Sequence, residues 1–182
     1  MSVHTQKDSE EVKTYAFTPL YTTVTLEKAI RLEPKELNNK NIDAVLEYHI
    51  KRELGNKCTK DGYIKADSIS IISRTIGTVK SLLLDGSVGY KVVFEADVCY
   101  PRQNDIWKCK VSKINRVGIM AEKKGAPLNI SIPKQVQYNK KIYKKLKPDE
   151  TGQEIVVQVI DARLEYNKRD LYVLCKLIDV LE

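Results

Sequence analysis

The side chains with the most to offer chemically are lysines. Residues 134–147 carry Lys134, Lys140, Lys141, Lys144, Lys145 and Lys147, with Tyr138 and Tyr143 among them and no acid until Asp149. Ammonium groups interleaved with aromatic rings suit a polyanion that also carries stackable bases, since the cations meet phosphate and the rings meet bases. A second set lies in IWKCKVSKI, residues 106–114. Alternation along an extended chain puts Lys108, Lys110 and Ser112 on one side, with Trp107, Cys109, Val111 and Lys113 on the other. Arg116 follows in the next turn, and a net charge of +7 favours an anionic partner. The single tryptophan is read as a core residue and not as a stacking platform.

Catalytic chemistry finds little to work with. The chain has no G-x-x-x-x-G-K-[ST] loop, G-x-G-x-x-G, G-x-S-x-G or H-E-x-x-H. Its four cysteines, Cys58, Cys99, Cys109 and Cys175, form no C-x-x-C pair, and His4 and His49 stand far apart. Zinc sites announce themselves by closely spaced ligand pairs, so neither a metal nor any other cofactor is expected. The carboxylates are isolated, and the expectation is a non-enzymatic protein. No apolar run approaches the ~20 residues that span a bilayer, and the start, MSVHTQKDSEEVK, has no secretory character. An intracellular protein without a membrane partner is expected.

These side chains need a scaffold, and 182 residues suffice for two small domains. Residues 21–32, YTTVTLEKAIRL, read as a strand. Ile42, Val45, Leu46, Ile50 and Leu54 recur at helical spacing, with Asn39 or Asn41 as cap, Gly55 as the left-handed terminator and His49 on the helix surface. GNKCTKDGYI, residues 55–64, reads as a loop, and YIKADSISII as one strand. IGTVKSLLL, the Asp85-Gly86 turn and the run from Val88 to Tyr100 read as a hairpin. That last strand is long: Val88, Tyr90, Val92, Phe94, Ala96, Val98 and Tyr100 share one face, and 13 residues at ~3.3 Å each span roughly 43 Å. Pro101 and the polar Arg102-Gln103-Asn104-Asp105 end its pairing and deliver the chain to a second domain. There, five strands (106–114, 117–123, 128–133, 154–161, 171–180) suit a small barrel of the OB type. The expected fold class is therefore α+β. A polar tail (1–16) precedes an N-terminal α/β domain (17–100) with one main helix on an antiparallel sheet, and a C-terminal five-stranded OB-type barrel (101–182) follows.

Three stretches in this order and spacing carry a resemblance: YTTVTLEKAIRLEPKEL, GNKCTKDGYI, and DGSVGYKVVFEADVCYPRQNDIWKCKVSKINRVGIMAE. They resemble the stalk subunit of multisubunit RNA polymerases, the family of the seventh subunit of eukaryotic RNA polymerase II and its archaeal counterpart. The most specific pieces are CTKDGYI at 58–64, the D-G-S turn with the long strand, and Gly118. The resemblance implies an N-terminal tip domain that docks on the large polymerase subunits and on a small stalk partner, and an OB domain near the RNA exit. Carried over by position, Lys57, Cys58, Thr59, Lys60, Asp61, Gly62, Tyr63 and Ile64 would form the core-docking tip loop, and the partner would contact the domain junction. Nascent single-stranded RNA would meet Lys108, Lys110, Lys113 and Arg116. The aromatic and cationic segment adds Tyr138, Lys140, Lys141, Tyr143, Lys144, Lys145 and Lys147. Cys109 stands where the family often has glycine, and the lysine segment is richer than in cellular members. Those departures point to a divergent lineage, a polymerase of a large DNA virus, working in the nucleus, the cytoplasm or a virion.

The expected function is thus a non-catalytic polymerase subunit that supports transcription initiation and binds nascent RNA. The alternative is a free-standing OB-fold RNA-binding factor in translation or RNA decay, which leaves the 58–64 stretch and the long strand without a role.

Overall fold

The computed structural model describes residues 15–38, 40–79, 85–125, 127–136 and 152–181. In chain order, the N-terminal lobe holds β1 (Thr22–Leu32), α1 (Pro34–Leu37), α2 (Ile42–Leu54), β2 (Lys57–Thr59), β3 (Gly62–Ile64), β4 (Ser70–Arg74), β5 (Thr78–Val79) and β6 (Val88–Cys99). The second lobe follows with β7 (Ile106–Ile114), β8 (Gly118–Glu122), β9 (Leu128–Pro133), β10 (Glu154–Leu164) and β11 (Leu171–Leu181). The described residues are mostly strand: an antiparallel sheet first, then a closed five-stranded barrel.

β6 is the spine of the sheet. Along its whole length one edge pairs with β1, from Thr22 opposite Val98 to Leu32 opposite Val88. The other edge takes β3, β4 and β5 in turn. The expected alternation holds: Tyr90, Val92, Phe94, Ala96 and Val98 are buried in one cluster with Leu46 and Ile50 of α2. Each such Val, Leu, Ile or Phe side chain contributes roughly 1.5–3 kcal/mol relative to an exposed one. Asn41 caps α2, its Oδ1 accepting from the Ala44 amide at 3.2 Å.

Local readings differ at several places, and the stretch read as a loop at 55–64 contains β2 and β3. Gly55 is extended (φ −64°), and the left-handed residue is Asn56 (φ 54°). Gly55 matters for packing instead, because a Cβ there would lie 2.4 Å from the Lys51 carbonyl oxygen and 2.8 Å from Ala66 Cβ. His49 is buried, not on the helix surface, with Nε2 2.7 Å from Glu36 Oε1. YIKADSISII is interrupted, since a 3-10 turn at Ala66–Ser68 separates β3 from β4. Asp85-Gly86 does not close a two-residue hairpin, which would set position 84 opposite Ser87; instead Val79 sits opposite Val88. Asp85 has other work there, accepting from the Ser87 amide and hydroxyl and pairing with Arg31.

The barrel closes in the order β10, β11, β9, β8, β7 and back to β10. All pairs are antiparallel except β9 with β11. Its interior is filled by Trp107, Val111, Ile119, Ile130, Ile132 and Ile155 among others, so Trp107 is a core residue as expected. Gly118 permits the tight β8–β9 approach, where a Cβ would fall 2.4 Å from the Ile132 carbonyl oxygen.

Several links join the lobes among the described residues. Along β6, Val98 belongs to the sheet's core and the next residue, Cys99, to the barrel's. The β10–β11 turn is bonded to β2: the Cys58 amide donates to the Lys168 carbonyl (2.7 Å) and the Asn167 amide to the Cys58 carbonyl (2.9 Å). Residues 15–21 run along the barrel before β1 begins. There the Thr18 amide donates to the Ile106 carbonyl, Tyr15 OH to Asp179 Oδ2 and Tyr21 OH to the Gly125 carbonyl. The start of the expected N-terminal domain therefore lies on the second lobe.

Candidate nucleic-acid interface

Strand direction gives the barrel two poles. The pole nearest the N-terminal lobe holds the start of β7, the loop after β8 and the β10–β11 turn. The distal pole holds the β7–β8 turn, the end of β9 and the start of β10. The expected cationic residues divide between the wall and the distal pole.

Lys108 and Lys110 are on the outer wall, as alternation requires, but they are flanked by acids. Lys108 Nζ lies 2.5 Å from Glu154 Oε2, and Lys110 stands between Glu122 on β8 and Glu154 on β10. The hydrogen bond from Lys108 holds the Glu154 carboxyl below its usual range. A phosphate approaching this row meets carboxylates as well as ammonium groups.

Lys113 departs from the alternation read in the sequence. A register shift between Val111 and Lys113 reverses the phase, so Lys113 sits opposite Met120 and is exposed instead of sharing the inward side of Trp107. It shares the distal pole with Arg116, and the Lys134 amide donates to the Val117 carbonyl, which brings a third cation alongside. Val117 (79% exposed) and Met120 (45%) add apolar surface. Sequence reasoning counted Lys134 in the lysine-rich run but not as a site residue, and passed over Val117 and Met120. The signal available for Lys134 was its position directly after the strand LNISIP.

Tyr138, Lys140, Lys141, Tyr143, Lys144, Lys145 and Lys147 lie outside the described residues. Their points of attachment do not. The chain leaves after Val136, two residues from Lys134, and returns at Gly152, whose amide donates to the Val111 carbonyl at 2.8 Å. Both anchors are at the distal pole.

The 57–64 stretch forms the β2–β3 hairpin at the joint, and most of its side chains have internal roles. Lys57 Nζ donates to the Arg52 and Glu53 carbonyls, satisfying the C-terminus of α2. Thr59 closes the turn, donating to the Gly62 carbonyl and accepting from the Asp61 amide. Gly62 has φ +125°, and a Cβ would meet Val98 Cγ1 at 2.6 Å. Cys58 and Tyr63 fill the barrel's core and Ile64 the sheet's. Lys60 and Asp61 are left facing outward.

The cysteines are all buried and free. Burial pushes Cys99 up to about 12 and Cys109 up to about 11, so both are protonated near neutrality and poor nucleophiles. Among the described residues, no group of three His, Cys, Asp or Glu side chains is placed to hold a metal, and no helix is long and apolar enough to cross a membrane. Neither protein-family models nor the curated proteins give a match to this chain.

Proposed function

We propose that this chain is a non-catalytic, stalk-type accessory subunit of a DNA-directed RNA polymerase, with an OB-type barrel that holds nascent single-stranded RNA. The observation that carries the reading is the polarity of the molecule. One lobe and its joint are built around β6, and Lys113, opposite Met120, stands with Arg116 and Lys134 at the opposite pole of the barrel, where the chain also enters and leaves the lysine-rich segment. An assembly subunit needs such a division, one end for docking and one for the ligand. The barrel's strand order, with its single parallel pair, supports the OB assignment. The N-terminal lobe, with α2 against one sheet face, would be the docking tip, and Lys60 and Asp61 would offer its hairpin contact. The sequence resemblance supplies the polymerase itself, and initiation support and a small stalk partner follow from it.

The test is the set of proteins recovered with this chain from its native source, with their stoichiometry. Two very large subunits and one small one in equal amounts are expected. Recovery alone, or with ribosomal or decay factors, would favour a free-standing RNA-binding factor. For the RNA end, replacing Lys113, Arg116 and Lys134 by Ala should flatten the dependence of log affinity on log salt by about two units, at ~0.7 per lost single-strand phosphate contact. Replacing Lys108 and Lys110, already faced by Glu154 and Glu122, should change it far less.

A further inference from the structure

Away from the distal pole, the barrel wall carries a second group of polar side chains with a different character. Register places Arg163 of β10 opposite Tyr172 of β11, and Tyr172 opposite Asn129 of β9. The adjacent outward row is Asp161, Leu174 and Ser131. Together they line a hollow of about 190 Å³.

The hollow depends on a backbone irregularity. Val159 points into the barrel, and simple alternation would send Asp161 after it. A register shift between Val159 and Asp161 reverses the phase, so that Ala162 and Leu164 pack inward while Asp161 and Arg163 face out. Bulges that re-aim a side chain are over-represented beside functional sites.

The chemistry around the hollow is that of a base-binding site. Tyr172 is 49% exposed and can offer a ring face, with the half-buried Leu174 as apolar floor. Asp161 can only accept hydrogen bonds; one oxygen already accepts from the Ala162 amide at 2.9 Å, which fixes the carboxylate. Asn129 and Ser131 can donate or accept. Arg163 makes an exposed pair with Glu165 at 3.3 Å, a weak competitor for a phosphate.

We propose that this hollow binds an unpaired guanine base, its ring against Tyr172 and its N1–H and N2–H₂ edge on Asp161. The proposal rests on the reading of the barrel as a single-strand binder. Guanine is selected because it presents two adjacent donor groups to an acceptor-only partner. Adenine, cytosine and uracil each present a donor beside an acceptor on that edge, and the acceptor would face a carboxylate. Asn129 or Ser131 can donate to O6, and Arg163 meets the adjoining phosphate.

The experiment titrates the full chain with two labelled RNA octamers that differ only by guanine or adenine at one central position. Guanosine and adenosine monophosphates are titrated in parallel by NMR. The guanine octamer should bind about tenfold more tightly. Asp161→Asn should reduce that ratio to about one, while Tyr172→Ala should weaken the guanine octamer by about tenfold or more, the loss of one stacked base. Equal affinities in the wild type, or a ratio that survives Asp161→Asn, would overturn the proposal. If Lys113→Ala with Arg116→Ala weakens both octamers equally, the distal interface stands whatever the hollow does. If neither octamer binds, the interface reading fails, and the monophosphates decide the hollow: a guanosine preference lost in Asp161→Asn retains it, and no preference ends it.

Discussion

Every barrel strand has a hydrogen-bonded neighbour on each side, whereas among the described residues β1 of the N-terminal sheet is paired with β6 alone. The two cores differ as well. The sheet's core is assembled wholly from its own lobe, with Phe94, Val92 and Leu32 set against Leu46 and Ile50. The barrel's core draws on all five of its strands and also takes in Cys58, Tyr63 and Cys99 from the other lobe. The lobe with an open edge is therefore self-contained in its packing, and the lobe without edges is plugged by its neighbour. Dependence runs in one direction, and damage should follow the same direction.

The largest effect is expected from Trp107→Ala, which removes the largest fully buried side chain and should cost about 3–5 kcal/mol. Because the sheet's core includes no barrel residue among those described, native-state hydrogen exchange should show protection lost in β7 to β11 and largely kept in β1 and β6. Uniform loss across both lobes would mean that the sheet's core does not stand by itself. Tyr63→Ala asks the reciprocal question at a cost of about 3 kcal/mol. The residue belongs to the N-terminal lobe by sequence, yet barrel amides near the joint should open. Leu46→Ala, of similar size, should leave them protected.

Much of this architecture is legible in the sequence, and the exceptions share a cause. The helix at 42–54 and the face of β6 follow from apolar spacing alone, because each buries one continuous stripe. The Asn41 cap was one of two alternatives, and its side-chain bond decides between them. Where the sequence misleads, the deciding atoms come from elsewhere in the chain. Glu154 and Glu122 reach Lys108 and Lys110 from strands that a linear scan does not place beside them. Register shifts after Val111 and Val159 reverse the alternation, so Lys113 faces opposite to its expected side and Asp161 faces out where simple alternation from Val159 would turn it in. The 55–64 stretch reads as a loop because it carries two glycines and two lysines in ten residues. Its Gly62 is needed for close approach to Val98 and its Lys57 for a helix end.

A smaller effect tests the joint itself. Gly62→Ala places a methyl group 2.6 Å from Val98 Cγ1 and 2.8 Å from the Cys99 carbonyl oxygen, on a backbone with φ +125°. A loss of about 1–3 kcal/mol is expected. It should appear in denaturant unfolding together with reduced protection of the Cys58 and Asn167 amides, which make the bonds between β2 and the β10–β11 turn. A drop in stability that left those two amides unchanged would show that the hairpin's fit to β6 and its clasp on the barrel are independent.

The smallest effect separates the lobes by pH. Glu36 is held below its ordinary carboxyl range chiefly by its bond from the Glu33 amide, then by His49 at 2.7 Å. The Arg52 guanidinium lies 3.4 Å from His49 Nδ1, at the ring nitrogen that does not face Glu36. A carboxyl whose pKa is lower in the folded state binds fewer protons there than in the unfolded chain. Its contribution is therefore full above the ordinary value of 4.5 and disappears as pH falls through the lowered folded value. Glu36→Gln removes that titration. In the variant the acid limb of stability should be shallower below about pH 4.5 and stability near neutrality slightly lower, with the change confined to exchange in α1 and α2. An equal change in the barrel amides would place the two lobes in one cooperative unit and contradict the one-way dependence that their cores imply.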